Sequence, residues 1–377
     1  MSGLYVHIPF CVKKCGYCDF LSFADGRREL ENEYIDALIS ELKTHRGKRV
    51  ETVYIGGGTP SVLTHTNLER LIAVICELWG NETEEFSVEV NPGTLDEKKC
   101  DILRKGGVNR ISIGLQSADD DELLRLGRIH DTEAFEKIFS LVREAGFQNV
   151  NIDLIMSVPG SELFSWERTL RYAAEKKPEH ISAYSLIIEE STLFYERYNG
   201  GESPELFDEE TDRRAYCMTK DILSACGYER YEISNFAKPG FYCRHNVTYW
   251  ECGDYIGCGL GASGFEDKER YRNTTDIYRY INDPGLGRER VSLTKKEMLQ
   301  ECFFMGLRME RGINLKNLDH RFGIDAEVLF SDVINRLKEE DLVVISEGHL
   351  SLSERGFDLE NRVDSAFYDA CDERVMG

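Results

Sequence analysis

Six short runs rich in valine, isoleucine and tyrosine, each followed by a longer stretch with helical spacing, restrict what this chain can fold into. They lie at residues 4–8, 52–55, 86–90, 110–114, 150–155 and 180–186. Between them, sets such as Leu68, Leu71, Ile72 and Ile75, or Phe135, Ile138, Phe139 and Val142, recur at intervals of three and four, giving each helix one apolar face. Alternation of this kind predicts βα units around a parallel sheet, an α/β fold. Each run ends in Gly, Pro or polar residues, and ligands of parallel α/β folds gather at the carboxyl ends of the strands.

The alternation stops near residue 194, and aromatic residues and glycines accumulate up to residue 287. From residue 292 the pattern predicts helices over 295–307, 315–322 and 326–339, then a strand pair over 343–346 and 350–352 turned by Glu347, Gly348 and His349. Helices followed by a hairpin predict a small winged-helix-like unit. The expected division is 1–193, 194–290 and 291–377. Winged helices suggest DNA by analogy, but 46 basic against 68 acidic side chains give a net charge of −22, which repels phosphate. A docking or structural module, with no nucleic-acid partner, is the expectation.

No apolar run of membrane-spanning length occurs, and the opening MSGLYVHIPF lacks the basic segment and cleavage site of a secretion signal. The expected compartment is the cytoplasm, where the 12 cysteines stay reduced. Six of them, Cys76, Cys100, Cys217, Cys226, Cys302 and Cys371, fall in helix-like stretches and are expected to be core thiols.

Three others are different. Cys11, Cys15 and Cys18 are spaced CxxxCxxC directly behind the first apolar run. Three thiolates on one tight loop can hold three irons of a cubane cluster and leave the fourth iron open. The competing reading, a structural zinc knuckle, needs four ligands, and no further Cys or His follows within the next twenty residues, although His7 lies upstream. The second run leads straight into Gly56–Pro60, GGGTP, where glycines let the backbone approach a ligand closely. Tyr5 and His7 share one face of the first strand.

This combination resembles the radical S-adenosylmethionine (SAM) superfamily, and within it the HemN/HemW branch. The resemblance covers nearly the whole chain and implies a partial (β/α)6 barrel, with an extension and a small C-terminal winged-helix-like domain. It implies a 4Fe-4S cluster on Cys11, Cys15 and Cys18 whose open iron is chelated by SAM. It places Gly57, Gly58 and Thr59 at the methionyl amino group, Tyr5 beside the sulfonium and Tyr17 over the adenine. Glu89, Gln116, Arg128 and Asp153 match further SAM-contacting positions.

Two features separate the branches. The oxidase signature continues CxxxCxxCxC, but Phe20 stands at its last position, and only four residues precede Tyr5, which leaves no room for the oxidase's amino-terminal arm. Conversely, His245, Asn246, Val247, Thr248, Tyr249 and Trp250 match the HNxxYW motif of the haem-chaperone (HemW) family, between YEISNFAKPG and GDYIGCGLGASG. The motif implies haem, with a solvent-reachable His245 on the iron and Tyr249 and Trp250 over the porphyrin. Cys243 is a second conceivable iron ligand. The partners implied are acceptor haemoproteins, membrane-bound respiratory ones among them, and a second copy of the chain when the cluster is loaded. No catalytic side chain is assigned. The alternative reading is a radical SAM enzyme acting on a tetrapyrrole, either an oxygen-independent coproporphyrinogen III oxidase or a haem-modifying enzyme; a third is a zinc-stabilised interaction module.

Overall fold

The computed structural model describes residues 2–203 and 205–374. All six expected strands form, each within two residues of its expected bounds: β1 (Ser2–Ile8), β2 (Thr52–Gly57), β3 (Glu85–Val90), β4 (Arg110–Gln116), β5 (Asn149–Met156) and β6 (His180–Ser185). They lie side by side in chain order, each parallel to the next. Helices such as His65–Trp79 and Thr132–Glu144 return the chain between them, and the residues expected on their apolar faces are buried. Side-chain caps set where these helices start, for instance Thr64 accepting from Asn67 N and Asp131 from Ala134 N.

Successive strand residues point to opposite faces. Val53, Ile55, Val88, Ile111, Ile113, Val150, Ile152 and Leu154 are fully buried in one core that also holds the helix faces. The alternate positions, Thr52, Ser87, Arg110, Ser112, Asn151, His180 and Ser182, are equally buried but polar. They line the concave side. The open barrel therefore has a polar lumen rather than an apolar filling.

The 194–290 segment is not set apart from the barrel. It supplies β7 (Glu229–Arg230) and β8 (Asn235–Ala237), which continue the sheet beyond β6. It also supplies β9 (Asp254–Cys258), parallel to β1, followed by antiparallel β10 (Ser263–Glu266), β11 (Glu269–Arg272) and β12 (Glu289–Ser292). One sheet of twelve strands results among the described residues, ordered β12-β11-β10-β9-β1-β2-β3-β4-β5-β6-β8-β7.

The C-terminal unit has its own core, built on Leu299, Phe303, Phe330, Leu337, Val363 and Phe367. Helices Lys295–Gly306 and Leu315–Phe322 form as expected, but the third breaks at buried Phe330 into Ala326–Leu329 and Ser331–Glu339. β13 (Ile313–Asn314) joins the hairpin of β14 (Val343–Ser346) and β15 (His349–Leu352). The hairpin turn has positive φ at both Glu347 (52°) and Gly348 (78°), the primed geometry that matches strand twist. Two further helices, Glu354–Asp358 and Glu360–Arg374, close the unit.

The cysteine expectation needs correction. Cys100, Cys302 and Cys371 are buried, but Cys76, Cys217 and Cys226 are exposed. Helical spacing places a residue in a helix, but which side faces solvent depends on its neighbours.

Candidate functional site

At the carboxyl ends of the strands, the chain leaving β1 makes the cysteine loop. Backbone bonds fix it at both sides: Cys11 N donates to Phe23 O (2.9 Å), Gly16 N to Leu126 O (3.3 Å) and Phe194 N to Gly16 O (3.0 Å). All three thiols are half-buried and lie near one another. Burial pushes the Cys18 thiol up to about 11, against the opposing pull of its hydrogen bond with Phe20. Burial also raises Cys11, partly offset by Thr59, whose Oγ1 lies 3.6 Å from Cys11 Sγ. Arg128 reaches in from the far side, its guanidinium donating to Cys15 Sγ (3.6 Å), to Gly114 O (3.0 Å) and to Asn91 Oδ1 (2.5 Å). Three thiols on one loop beside a fixed cation suit a cluster that needs three thiolates and carries negative charge. Phe20, at the position of a further cysteine in the oxidase signature, is 62% exposed.

The structure brings most of the expected SAM residues to this end. Asn91, which no sequence motif marks, ties them together: its Oδ1 accepts from Arg128 and its Nδ2 donates to Thr59 Oγ1 (2.9 Å). Gln116 sits at φ 73°, just after a register shift in β4, a strained conformation for a non-glycine residue. Asp153 accepts from Ser112 Oγ (2.8 Å) and Asn151 Nδ2 (2.7 Å) inside the lumen, and burial raises its carboxyl above the usual range. Glu89 accepts from Tyr54 Oη (2.8 Å) and Gly57 N (3.3 Å); burial first, and Asp153 second among the raising influences, lift it to about 7. Tyr5 Oη lies 3.0 Å from His7 Nδ1, as expected for neighbours on one strand face. Tyr17 packs edge-on to Phe194 at 6.2 Å.

The glycines also have a reason within the protein itself. A Cβ at Gly57 (φ 110°) would stand 2.6 Å from the His7 ring, and one at Gly58 would stand 2.7 Å from Phe10 O and 3.1 Å from Cys11 Sγ. Close approach is required here by β1 at Gly57 and by the start of the cysteine loop at Gly58.

The HNxxYW motif is at the other end. It forms the helix Arg244–Trp250, which plugs the amino-terminal mouth of the barrel beneath β1, β2 and β9. Its start is anchored by Glu85, the first residue of β3, whose carboxylate accepts from His245 N (3.0 Å), Arg244 N (3.0 Å) and Cys243 Sγ (3.6 Å). An acidic group at a helix start answers the unpaired amides and the dipole together. No local motif could reveal this cap, because it arrives from 160 residues away.

His245 is therefore not solvent-reachable, contrary to the sequence reading; it is 1% exposed. Its Nδ1 lies 3.0 Å from Thr52 Oγ1 and its Nε2 2.7 Å from Tyr249 Oη, and the ring stacks on Tyr54 at 5.3 Å. Burial, with Arg110 adding to it, lowers its pKa to about 3, so the imidazole is neutral with both nitrogens engaged. Cys243 is fully buried and pushed up to about 12 by burial, which removes it as a ready iron ligand. Asn246, Tyr249 and Trp250 are half-buried on the same helix. Tyr54 links the two ends: its ring touches His245 and its hydroxyl holds Glu89.

Two further buried groups carry no sequence motif. Arg110 is 2% exposed with its Nε unpartnered, beside Ser87 Oγ and Asn149 Oδ1, also unpartnered, at the same register of the lumen. Glu41, His45 and Cys258 bring ligand atoms within 4.8 Å of one another. Glu41, however, is spent on Gly259 N, Tyr280 Oη, Asn273 Nδ2 and Arg288, and burial first, then Lys48, Arg288 and Arg290, depress His45, so the group reads as a structural network.

Comparison with known proteins identifies the family. Residues 5–173 match the radical SAM superfamily and residues 293–359 the HemN C-terminal domain. The chain is 36% identical over 371 residues to the haem chaperone HemW of Lactococcus lactis, covering 97% of each chain. It is 35% identical to that of Bacillus subtilis, covering 97% of this chain and 99% of the relative. Coproporphyrinogen III oxidase (HemN) of Escherichia coli, a radical SAM enzyme, superposes with a TM-score of 0.82 over 97% of this chain and 89% of its own, at 23% identity. That last likeness concerns the fold.

Proposed function

Since the chain is a member of the HemW family within the radical SAM superfamily, we propose that it binds haem, holds a SAM-ligated 4Fe-4S cluster and hands haem to acceptor haemoproteins. One observation supports this most: the thiol loop with Arg128 and an intact HNxxYW helix occur in the same barrel, in a chain whose relatives over nearly full length are named as haem chaperones. Cys11, Cys15 and Cys18 would hold the cluster, which when bound supplies an electron to the SAM sulfonium.

The residues of this chain have defined tasks in that reading. Glu89, ionised above about pH 7, would hold the SAM ammonium beside Gly57–Thr59. Arg128 keeps a positive charge against the cluster, locked in place by Asn91 and Gly114. Tyr17, with Phe194 behind it, would cover the adenine. At the far end, His245 and Tyr249 position the motif helix through Thr52 and Glu85 rather than meeting iron themselves, leaving its outer side to haem.

Anaerobic reconstitution followed by haem titration, and then by addition of an apo-haemoprotein, tests the proposal. A stable haem complex and transfer to the acceptor are expected. Turnover of coproporphyrinogen III with SAM and reductant, without retained haem, would replace it by the oxidase reading.

A further inference from the structure

A groove of about 610 Å³ runs along the outer side of the motif helix, lined by Arg244 and Val247 from the helix and Glu251 just after it, with Tyr231, Tyr242, Met309 and Arg311 around them. That volume falls in the range of about 300–1,000 Å³ that takes a cofactor-sized ligand. Its floor is apolar, formed by Tyr231, Val247 and Met309 over the small core that also contains Trp250. Its rim is charged. Arg244 and Arg311 stand there half-exposed, each in a surface ion pair, with Glu84 and Glu251 respectively. Such pairs are worth about 0–1 kcal/mol, so an incoming carboxylate can replace either partner cheaply. A flat apolar body with two carboxylates fits this layout. A depression of about 880 Å³ lined by His65, Asp96 and Glu136 among others includes none of the residues described at either end.

Within the groove, the atoms able to bind iron belong to Tyr231, Tyr242, Met309 and the carboxylates of Glu229, Glu251 and Glu310; Tyr231 Oη is held by His180 and Cys243 N, Glu251 and Glu310 are ion-paired with Arg311 and Arg230, and Glu229 accepts from Tyr242. Met309 is 3% exposed. Tyr242 is 36% exposed, stacks on Tyr231 with ring centroids 4.5 Å apart at 14°, and donates its phenolic hydrogen to Glu229 Oε2 at 2.7 Å. A phenol with a carboxylate already receiving its proton is the arrangement that ferric iron needs to obtain a phenolate ligand. His245, the residue the motif nominates, has neither access nor a free nitrogen.

We infer that ferric haem docks in this groove with Tyr242 as its iron ligand, Glu229 as the proton acceptor, and Arg244 and Arg311 on its propionates. This deepens the haem-chaperone reading and rests on it. In the ligation step the Tyr242 O–H bond breaks and its proton passes to Glu229. The phenolate oxygen forms the bond to iron, a water leaves that coordination position, and the iron stays ferric. Without iron, burial and the Glu229 carboxylate hold the phenol at about 12, so it stays protonated until a Lewis acid arrives.

The experiment is a titration of the purified full chain with ferric haem, followed by absorption and electron paramagnetic resonance, on the wild type, Tyr242→Phe, Glu229→Gln and His245→Gln. Tyr242→Phe removes only the hydroxyl and leaves the stacked ring, so folding is checked by near-ultraviolet circular dichroism and is expected to be unchanged. The wild type is expected to show a high-spin phenolate–ferric signature that Tyr242→Phe abolishes. Glu229→Gln is expected to weaken binding about tenfold. His245→Gln is expected to keep the signature. A wild-type spectrum from Tyr242→Phe, or loss of the iron ligand in a folded His245→Gln protein, overturns the inference while leaving haem binding itself intact. Failure of the wild type to bind haem at all removes the chaperone reading and this inference with it.

Discussion

The two ends of the barrel are built on opposite rules. At the carboxyl end the reactive groups are half-exposed and held by backbone: the thiols hang on a loop pinned at Phe23, Leu126 and Phe194, and glycines let the chain crowd around them. At the amino end the side chains that look reactive are sealed: His245 and Cys243 are at or near zero exposure, and their polar atoms are spent on Thr52, Tyr249 and Glu85. In the proposed reading, the motif marks a binding region without its most chemically able residue touching the ligand. At the first end the loop itself gathers the reactive groups; at the second, the motif shapes a helix whose outer side borders the groove.

Experiments that separate the two ends break or sharpen this contrast. The largest effect is expected from Cys15→Ala, which removes one of three thiolates: iron and sulfide retention after anaerobic reconstitution should collapse, while haem titration should be unaffected. Equal loss of both would show that the ends are not independent.

Next is Glu85→Ala, which strips three hydrogen bonds from the start of the motif helix. Loss of a charged cap and exposure of buried amides should cost about 2–3 kcal/mol, read from urea unfolding, with faster amide exchange across residues 244–250. An unchanged unfolding midpoint would mean that the helix is held by other contacts.

Smaller and pH-dependent is the effect of Glu89. Its carboxyl lies near 4.5 in an unfolded chain and about 7 in the folded one, so the folded state binds its proton more tightly. The stabilisation is complete below about 4.5, declines as pH rises through about 7, and is absent from Glu89→Gln. Binding of the SAM ammonium needs the ionised form, and so should strengthen with pH through the same window. Tyr54→Phe removes a hydrogen bond that lowers this pKa and should shift the binding profile to higher pH.

The smallest change belongs to Arg311→Ala, whose ion pair with Glu251 is surface-exposed: stability should move by under about 1 kcal/mol, with the effect confined to haem affinity.

Much of the barrel was legible because its signals are local. Alternation along segments such as RISIG and NVNIDLI, and caps such as Thr64 and Asp131, are written within a few residues of the elements they define. The CxxxCxxC loop was legible for the same reason. What could not be read is decided by contacts between distant residues. Which mouth of the barrel the motif helix plugs depends on Glu85, Thr52 and Gly3, and Gly3 leaves only about 3.1 Å for a Cβ before the His245 ring. Asn91, joining Arg128 to Thr59, carries no motif of its own. The break at Phe330 and the exposure of Cys76, Cys217 and Cys226 likewise follow from packing that a linear pattern does not contain.

The central claim is that cluster and haem occupy opposite mouths of one barrel, and simultaneous occupancy tests it most directly. Ferric haem titrated into cluster-loaded protein, with SAM present, should bind with the same affinity as in the cluster-free protein, and iron–sulfur content should stay constant throughout. Haem that displaces the cluster or SAM, or that fails to bind once they are in place, would contradict the account.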